Sequence, residues 1–387
     1  MTNIKIVIGA NYGDEGKGLM TDYFCNLATE SGESALVVCA NGGSQRGHTV
    51  TTPGGINHVF HHFGSGTFAG ADTYLSEKFI LNPMNYYDEY IELSKKTKPM
   101  PMVYINKLCK VTTPFDMIIN QMAEESRGSD WHGSCGCGIW ETITRDGATV
   151  EEMWDMYLDG NLASYIKSIR DNYLPLRLKE LGVEITDEWK EVINKDTLIT
   201  NWMFDFHFMM RTTEWETDAI IKEYDHVIFE NGQGLMLTDK YISSKYATPS
   251  ETGIYNPAQM ILKVFWGAYS EVNLEVCYVT RPYITRHGPG KLEGECTKEE
   301  VNVVKDDETN VYNIHQGDFR YAKMNWKSLV ERVKDDYSNF KVGQLSIAFT
   351  HWNEASKEMD SSYYDWLFDN DEWRVYFSCK KTRDGVM

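Results

Sequence analysis

The stretch Gly9-Ala10-Asn11-Tyr12-Gly13-Asp14-Glu15-Gly16-Lys17-Gly18 follows an apolar run at 4–8 and joins a phosphate cradle to a carboxylate. Glycines let successive backbone N–H groups point at phosphate oxygens, Lys17 adds a positive charge, and a helix expected at 17–29 presents its positive dipole end. The spacing is not that of a Walker A loop, in which four residues separate the first glycine from Gly-Lys and a Ser or Thr then holds magnesium. Gly18 stands where that hydroxyl would be, so a bound metal needs another oxygen. Asp14 is the candidate ligand and also a candidate base. The missing hydroxyl argues against a P-loop kinase.

Further polar, glycine-rich segments follow apolar runs at intervals. Asn41-Gly42-Gly43-Ser44-Gln45-Arg46-Gly47-His48-Thr49 comes after the run 35–39, and Glu230-Asn231-Gly232-Gln233-Gly234 after 227–229. In open α/β sheets these are the carboxyl ends of strands, where ligands bind. His132-Gly133-Ser134-Cys135-Gly136-Cys137-Gly138 is a third glycine-rich loop with N–H donors and a hydroxyl.

The elements that must position these loops are short apolar strands at 4–8, 35–39, 58–61, 103–105, 227–229, 274–278, 345–349 and 374–377. They alternate with helical stretches at 17–29, 85–95 and 256–269. That rhythm predicts an α/β fold with a mainly parallel central sheet flanked by helices. The segment 149–223, with Trp, Tyr, Leu and charges at helical spacing, reads as a helical insertion in a single domain. At 387 residues, 42% of them hydrophobic, the chain can bury a large core. A net charge of -19 repels a phosphate backbone, so no nucleic acid polymer is expected as partner, whereas local lysines suffice for a mononucleotide. No apolar run reaches membrane-spanning length or resembles a leader, so no membrane partner and a cytoplasmic location are expected. The eight cysteines lack repeated C-x-x-C spacing and read as reduced thiols.

The loop at 9–18 resembles the signature Gly-x-x-x-Gly-Asp-Glu-Gly-Lys-Gly of adenylosuccinate synthetases, and the other segments resemble that family's motifs in the same order. The resemblance implies a catalytic role for Asp14, Lys17, His48 and Gln233, with Gln233 orienting the 6-position of a purine. It puts Gly13, Glu15, Gly16 and Gly18 around nucleotide, and Mg2+ on Asp14 and the Gly47 carbonyl. Ser134 and Cys135 stand in a 5′-phosphate loop, Arg145 matches an arginine lent across a homodimer interface, and Thr248 is a further phosphate hydroxyl. Gln45-Arg46 replaces the family's Asn-Ala, and Thr285-Arg286-His287-Gly288 resembles its Thr-Arg-Val-Gly. The arginine cluster that clamps aspartate is missing. Thr309 and Asn310 stand near its place, and Arg320 is the nearby arginine able to grip a carboxylate.

Thr350-His351-Trp352-Asn353 stands where the family has Thr-Lys-x-Asp, which reads guanine in GTP. Asn353 offers one donor and one acceptor, a pattern that suits adenine better than guanine. The implied reaction has Asp14 take the N1 proton of a 6-oxopurine nucleoside monophosphate while O6 attacks the γ-phosphate of a nucleoside triphosphate. Lys17, protonated His48 and magnesium stabilise the charge, and the amine of L-aspartate then displaces phosphate. Viral relatives that act on dGMP with an adenine nucleotide as donor also lack the guanine-reading Asp. Many of them have lost the carboxylate that Asp14 retains, which favours IMP with GTP. The dGMP reading is preferred, with conventional IMP chemistry and a non-catalytic nucleotide-binding protein as alternatives.

Overall fold

The computed structural model describes residues 1–268, 271–301, 303, 317–354 and 373–387. Its strands are β1 (Thr2–Gly9), β2 (Ala35–Cys39), β3 (His48–Thr51), β4 (Asn57–Phe60), β5 (Asp72–Leu75), β6 (Val103–Asn106) and β7 (Glu214–Glu216). They continue with β8 (His226–Gly234), β9 (Val272–Thr280), β10 (Tyr283–Arg286), β11 (Glu295–Cys296), β12 (Arg320–Lys323), β13 (Gln344–Phe349) and β14 (Arg374–Phe377). Among the described residues, a nine-stranded sheet has the order β14-β13-β9-β1-β8-β2-β5-β6-β7. Every neighbouring pair in it is parallel.

A parallel sheet is covered on both faces, which is why its central strands are apolar almost throughout. Ile4, Ile6 and Ile8 of β1 pack with Leu36, Val38, Val227, Phe229 and Val276 on one face. Val7, pointing the other way, packs with Met20 and Phe24 of helix α1 (Lys17–Glu30). Each such fully buried side chain contributes about 1.5–3 kcal/mol through apolar burial. The carboxyl ends of β1, β2, β8, β9 and β13 carry the loops that begin at Ala10, Ala40, Leu235, Arg281 and Thr350 and gather along one edge.

Two local expectations differ from the structure. The segment 58–61 was expected in the strand rhythm of the main sheet, but β4 pairs antiparallel with β3 in a separate hairpin. The buried carboxylate of Glu89, on helix α2 (Pro83–Leu93), accepts the backbone N–H groups of His61 at 2.8 Å and His62 at 2.6 Å, and so holds the chain off the sheet. The helix expected at 256–269 runs only over Tyr255–Val264, and Gly267 beyond it adopts a φ of +77°. Strands β5 and β7 and the small sheet β10-β12-β11 are additions to the expected set.

Helices Val150–Leu158, Leu162–Ser168, Leu174–Glu180, Asp187–Ile193 and Asp196–Thr212 occupy most of the segment read as an insertion. Their buried Val150, Met153, Ile166 and Phe206 share a core with Phe115 and Ile119. Trp202, fully buried, donates its indole N–H to the Thr112 carbonyl at 3.0 Å, so its polar atom is satisfied. The segment ends by returning to the sheet as β7.

Candidate active site

The loop after β1 is fixed from inside and from its neighbours. Glu15 is 2% exposed and turns inward, where Oε1 accepts the N–H groups of Asn11 at 3.1 Å and Gly13 at 2.8 Å. Its role in the free protein is therefore to shape the loop, and those two amides are spent on it. Lys17 is also buried and donates to the Gly13 carbonyl at 2.7 Å, with Glu15 3.9 Å away. Burial pushes the Glu15 carboxyl up and the Lys17 ammonium down, each opposed by the other's charge. Thr350 Oγ1 donates to the Glu15 carbonyl at 2.6 Å, and Arg281 Nε donates to the Asp14 carbonyl at 2.7 Å.

Gly16 caps α1 with a φ of +96°, a left-handed conformation that a side chain would strain, and no side chain caps the helix amides. Gly18 has a steric reason to lack the Walker hydroxyl. A Cβ there would lie 2.9 Å from the Thr49 carbonyl and 3.2 Å from His48 Cβ. The β3 hairpin thus occupies the space that a Ser or Thr needs, and brings His48 in its place.

His48 starts β3 and is 6% exposed. Its Nδ1 lies 2.9 Å from Glu230 Oε1, off the ideal hydrogen-bond line. Glu230 Oε2 lies 3.3 Å from Arg46 Nη2 and accepts the Ser65 N–H at 3.2 Å. Burial alone would raise the Glu230 carboxyl, but His48 and Arg46 outweigh it and hold it at about 2. Burial pushes His48 down to about 4 against the pull of Glu230, so in the free protein the imidazole is neutral near pH 7. The expectation of a protonated His48 therefore applies to a nucleotide complex, in which the anionic ligand adds to Glu230 in favouring the cation.

Gly13, Asp14, Gly16, Lys17, Gly18, Gly47, His48 and Asn353 line one cavity of about 290 Å³. Arg281, Thr350, His351, Glu354, Lys380 and Lys381 line it too; Thr350 and His351 belong to the segment expected to read the base, whereas Arg281 and Glu354 were not singled out from sequence. His287 was noted only as a substitution, yet its Nδ1 lies 3.2 Å from Asp14 Oδ2 and its ring packs on Phe319. The signal was present, since the resembled motif has valine there.

The other expected residues that the structure describes lie outside this lining. Gln233, at a φ of +64°, backs onto Gly13 and accepts a hydrogen bond from Thr248 Oγ1 at 2.9 Å. Ser134 donates to Asn120 Oδ1 at 2.9 Å, and the neighbouring Cys135 carbonyl faces Cys137 Sγ at 3.9 Å. Arg145 is buried in a bidentate pair with Asp116, at 2.8 and 2.9 Å, and reaches Tyr165 Oη at 2.9 Å. Arg320 grips Glu295 at 2.7 and 2.5 Å and donates to the carbonyls of Gly288 and Gly290. Thr309 and Asn310 lie outside the described residues.

The family model for adenylosuccinate synthetase matches residues 6–316. The chain belongs to the adenylosuccinate synthetase family. The enzyme of Thermoplasma acidophilum is 25% identical over 307 residues, covering 78% of this chain and 65% of that protein. The Vibrio vulnificus enzyme is 26% identical over 258 residues, 65% of this chain and 56% of that protein, so the chain spans less than two thirds of both relatives. A fully ligated adenylosuccinate synthetase from Plasmodium falciparum superposes with a TM-score of 0.71 at 16% identity over 99% of each chain. A cyanophage S-2L succinoaminodeoxyadenylate synthetase, bound to dGMP with dATP as energy donor, gives 0.64 at 13% identity over 100% of this chain and 95% of that one. At those identities the two structures establish the shared fold. Among the described residues, no helix is long and apolar enough to cross a membrane.

Proposed function

We propose that this chain is a carbon–nitrogen ligase that joins L-aspartate to the 6-position of a 6-oxopurine nucleoside monophosphate at the expense of a nucleoside triphosphate. The observation that carries the reading is the meeting of Asp14, Lys17 and His48 in one cavity, with the uncapped α1 amides at its side. A carboxylate beside a ring N1–H takes its proton, which makes O6 the nucleophile. Lys17 and the α1 terminus bear the charge of the transferring phosphoryl group, and His48 faces the 6-oxygen. Asp14 and Lys17 sit on one loop and His48 on another, so purine and triphosphate are held from two sides.

The cavity fits Mg2+. The Asp14 carboxylate is 26% exposed, and Gly47 lines the same cavity as a source of a carbonyl oxygen. Among the described residues no cluster of three or more His, Cys, Asp or Glu side chains is arranged to hold a metal alone. Magnesium needs none here, because it keeps waters and binds through one or two carboxylates plus substrate phosphates. When bound, it supplies neutralisation of the triphosphate charge.

For the nucleotides, we favour (d)GMP as acceptor and ATP as donor, giving 2-amino-(deoxy)adenylosuccinate. Asn353 on the cavity lining, with its donor and acceptor, supports an adenine base, and the cyanophage enzyme of similar fold binds dGMP and dATP. Asp14 supports the other reading, IMP with GTP. A cytoplasmic homodimer completes the proposal, supported by the exposed Trp140 and Ile143 on the helix beside Arg145.

Incubation with aspartate, magnesium, ATP or GTP, and IMP, GMP or dGMP, followed by chromatography of the succinylated product, tests all of this. Product from dGMP and ATP is expected. Product from IMP with GTP alone rejects the base assignment, and nucleotide binding without phosphate release in any combination rejects catalysis.

A further inference from the structure

Arg46 stands where the resembled motif has alanine, and it is 2% exposed. A guanidinium taken that far from water is costly unless its donors are used. Nε donates to the His61 carbonyl at 2.6 Å and Nη2 to the Phe63 carbonyl at 2.9 Å, while the guanidinium lies 5.7 Å from the centre of the Phe79 ring. The remaining contact is ionic, from Nη2 to Glu230 Oε2 at 3.3 Å, while Nη1 is buried with no hydrogen-bond partner among the described residues.

That contact divides the Glu230 carboxylate. Oε2 is taken by Arg46 and the Ser65 N–H, which leaves Oε1 for His48 Nδ1 at 2.9 Å. A carboxylate pinned at one oxygen cannot rotate the other away without giving up both partners. An imidazole whose Nδ1 faces the carboxylate, even off the ideal hydrogen-bond line, is left with Nε2 for the cavity that His48 lines. We propose that Arg46 is a positioning residue that acts through Glu230 to hold the His48 ring in its working orientation. The proposal rests on the ligase reading for its kinetic consequence and on geometry alone for its structural one.

The test uses the full chain with Arg46→Met, which keeps much of the stem and removes the charge. Phosphate release should fall roughly 10- to 100-fold in kcat, the usual effect of losing a group that orients a reacting residue, with nucleotide KM within about twofold of the parent. In a Glu230→Gln background the same substitution should cost less than about threefold, because its route to His48 is already broken. A crystal structure of Arg46→Met should show the Glu230 carboxylate rotated and the His48 ring displaced, with the loop at 9–18 unmoved. Equal losses in both backgrounds, an unchanged kcat, or an intact contact between Glu230 and His48 in the variant would each overturn the proposal. Should Arg46→Met fail to fold, Arg46→Lys carries the same comparisons, since its single ammonium cannot serve Glu230 and both carbonyls at once. Should the parent chain release no phosphate at all, the ligase reading falls, and the crystal comparison alone decides whether Arg46 places the His48 ring.

Discussion

The base preference of the donor site is the property most directly open to a single substitution, Asn353→Asp. An asparagine presents one donor and one acceptor, which pair with adenine, whereas an aspartate presents two acceptors to the N1–H and 2-amino group of guanine. The exchange turns a donor–donor conflict with guanine into a charge-assisted bond and does the reverse for adenine. Such bonds are worth about 1.5–3 kcal/mol when desolvated. Asn353 is exposed at the cavity rim, so about 1 kcal/mol for each base is the appropriate scale. The two changes act in opposite directions on the two donors, so the ratio of kcat/KM for GTP over ATP should rise by about 2 kcal/mol, or roughly 30-fold. The neighbouring Glu354 opposes a new negative charge, although His351 at 3.2 Å and the Tyr283 hydroxyl already engage its carboxylate. Lys380 and Lys381 on the same lining offset it. The assay is initial-rate phosphate release with each donor at fixed acceptor and aspartate, beside Asn353→Ala, which should weaken ATP and leave GTP no worse. A ratio that moves less than about threefold in a folded, active Asn353→Asp protein would refute the assignment of Asn353 to base reading.

Arg145→Ala should lower unfolding stability by about 3 kcal/mol in urea, because it leaves the fully buried Asp116 carboxylate without its bidentate partner. A loss below about 0.5 kcal/mol would show that the pair contributes little in this chain and would return Arg145 to a purely ligand-binding role. Acidification offers a separate check. Glu230 is held at about 2, below its ordinary 4.5, so it stabilises the fold above pH 4.5 and that stabilisation is lost as pH falls toward 2. Urea melts over that window should show Glu230→Gln less stable than the parent at pH 7 and its stability flatter toward pH 2, by about 3 kcal/mol over the range. Parallel curves would contradict the depressed carboxyl.

How much of this was legible in the sequence depended on where the determining contacts lie. The central strands were readable because burial on both faces makes them near-continuous apolar runs, as in Ala35–Cys39. The hairpin was misplaced because His58-Val59-Phe60-His61-His62 looks like any half-buried strand, and its separation from the sheet depends on a carboxylate on another helix, Glu89. The loop at 9–18 was readable as a glycine-rich turn between β1 and α1, yet the inward turn of Glu15 was not, since it is set by backbone amides within the loop itself. Arg46 and His287 were visible as departures without visible purpose. Their partners, Glu230 and Asp14, lie far away along the chain and meet them only in the folded protein.

One residue ties the loop at 9–18 to the segment that carries Asn353. Thr350 is 1% exposed, begins the segment that carries Asn353, and donates its hydroxyl to the Glu15 carbonyl at 2.6 Å, while its Cγ2 sits against Gly16. The departures from the family's Thr-Lys-x-Asp begin only after it, at His351. The physical reason is that Thr350 belongs to the loop at 9–18 in space even though it belongs to the segment at 350–353 in sequence. Thr350→Val keeps the methyl contact and removes the hydroxyl. It leaves a buried carbonyl short of a partner, which costs about 1–3 kcal/mol of stability. It should also loosen Asp14 and Lys17 relative to the cavity, lowering kcat with ATP and GTP in the same proportion. The ratio between donors should stay where it is, in contrast to Asn353→Asp. If Thr350→Val shifts that ratio and leaves kcat intact, Thr350 reads the base and the mechanical link between the two loops is wrong.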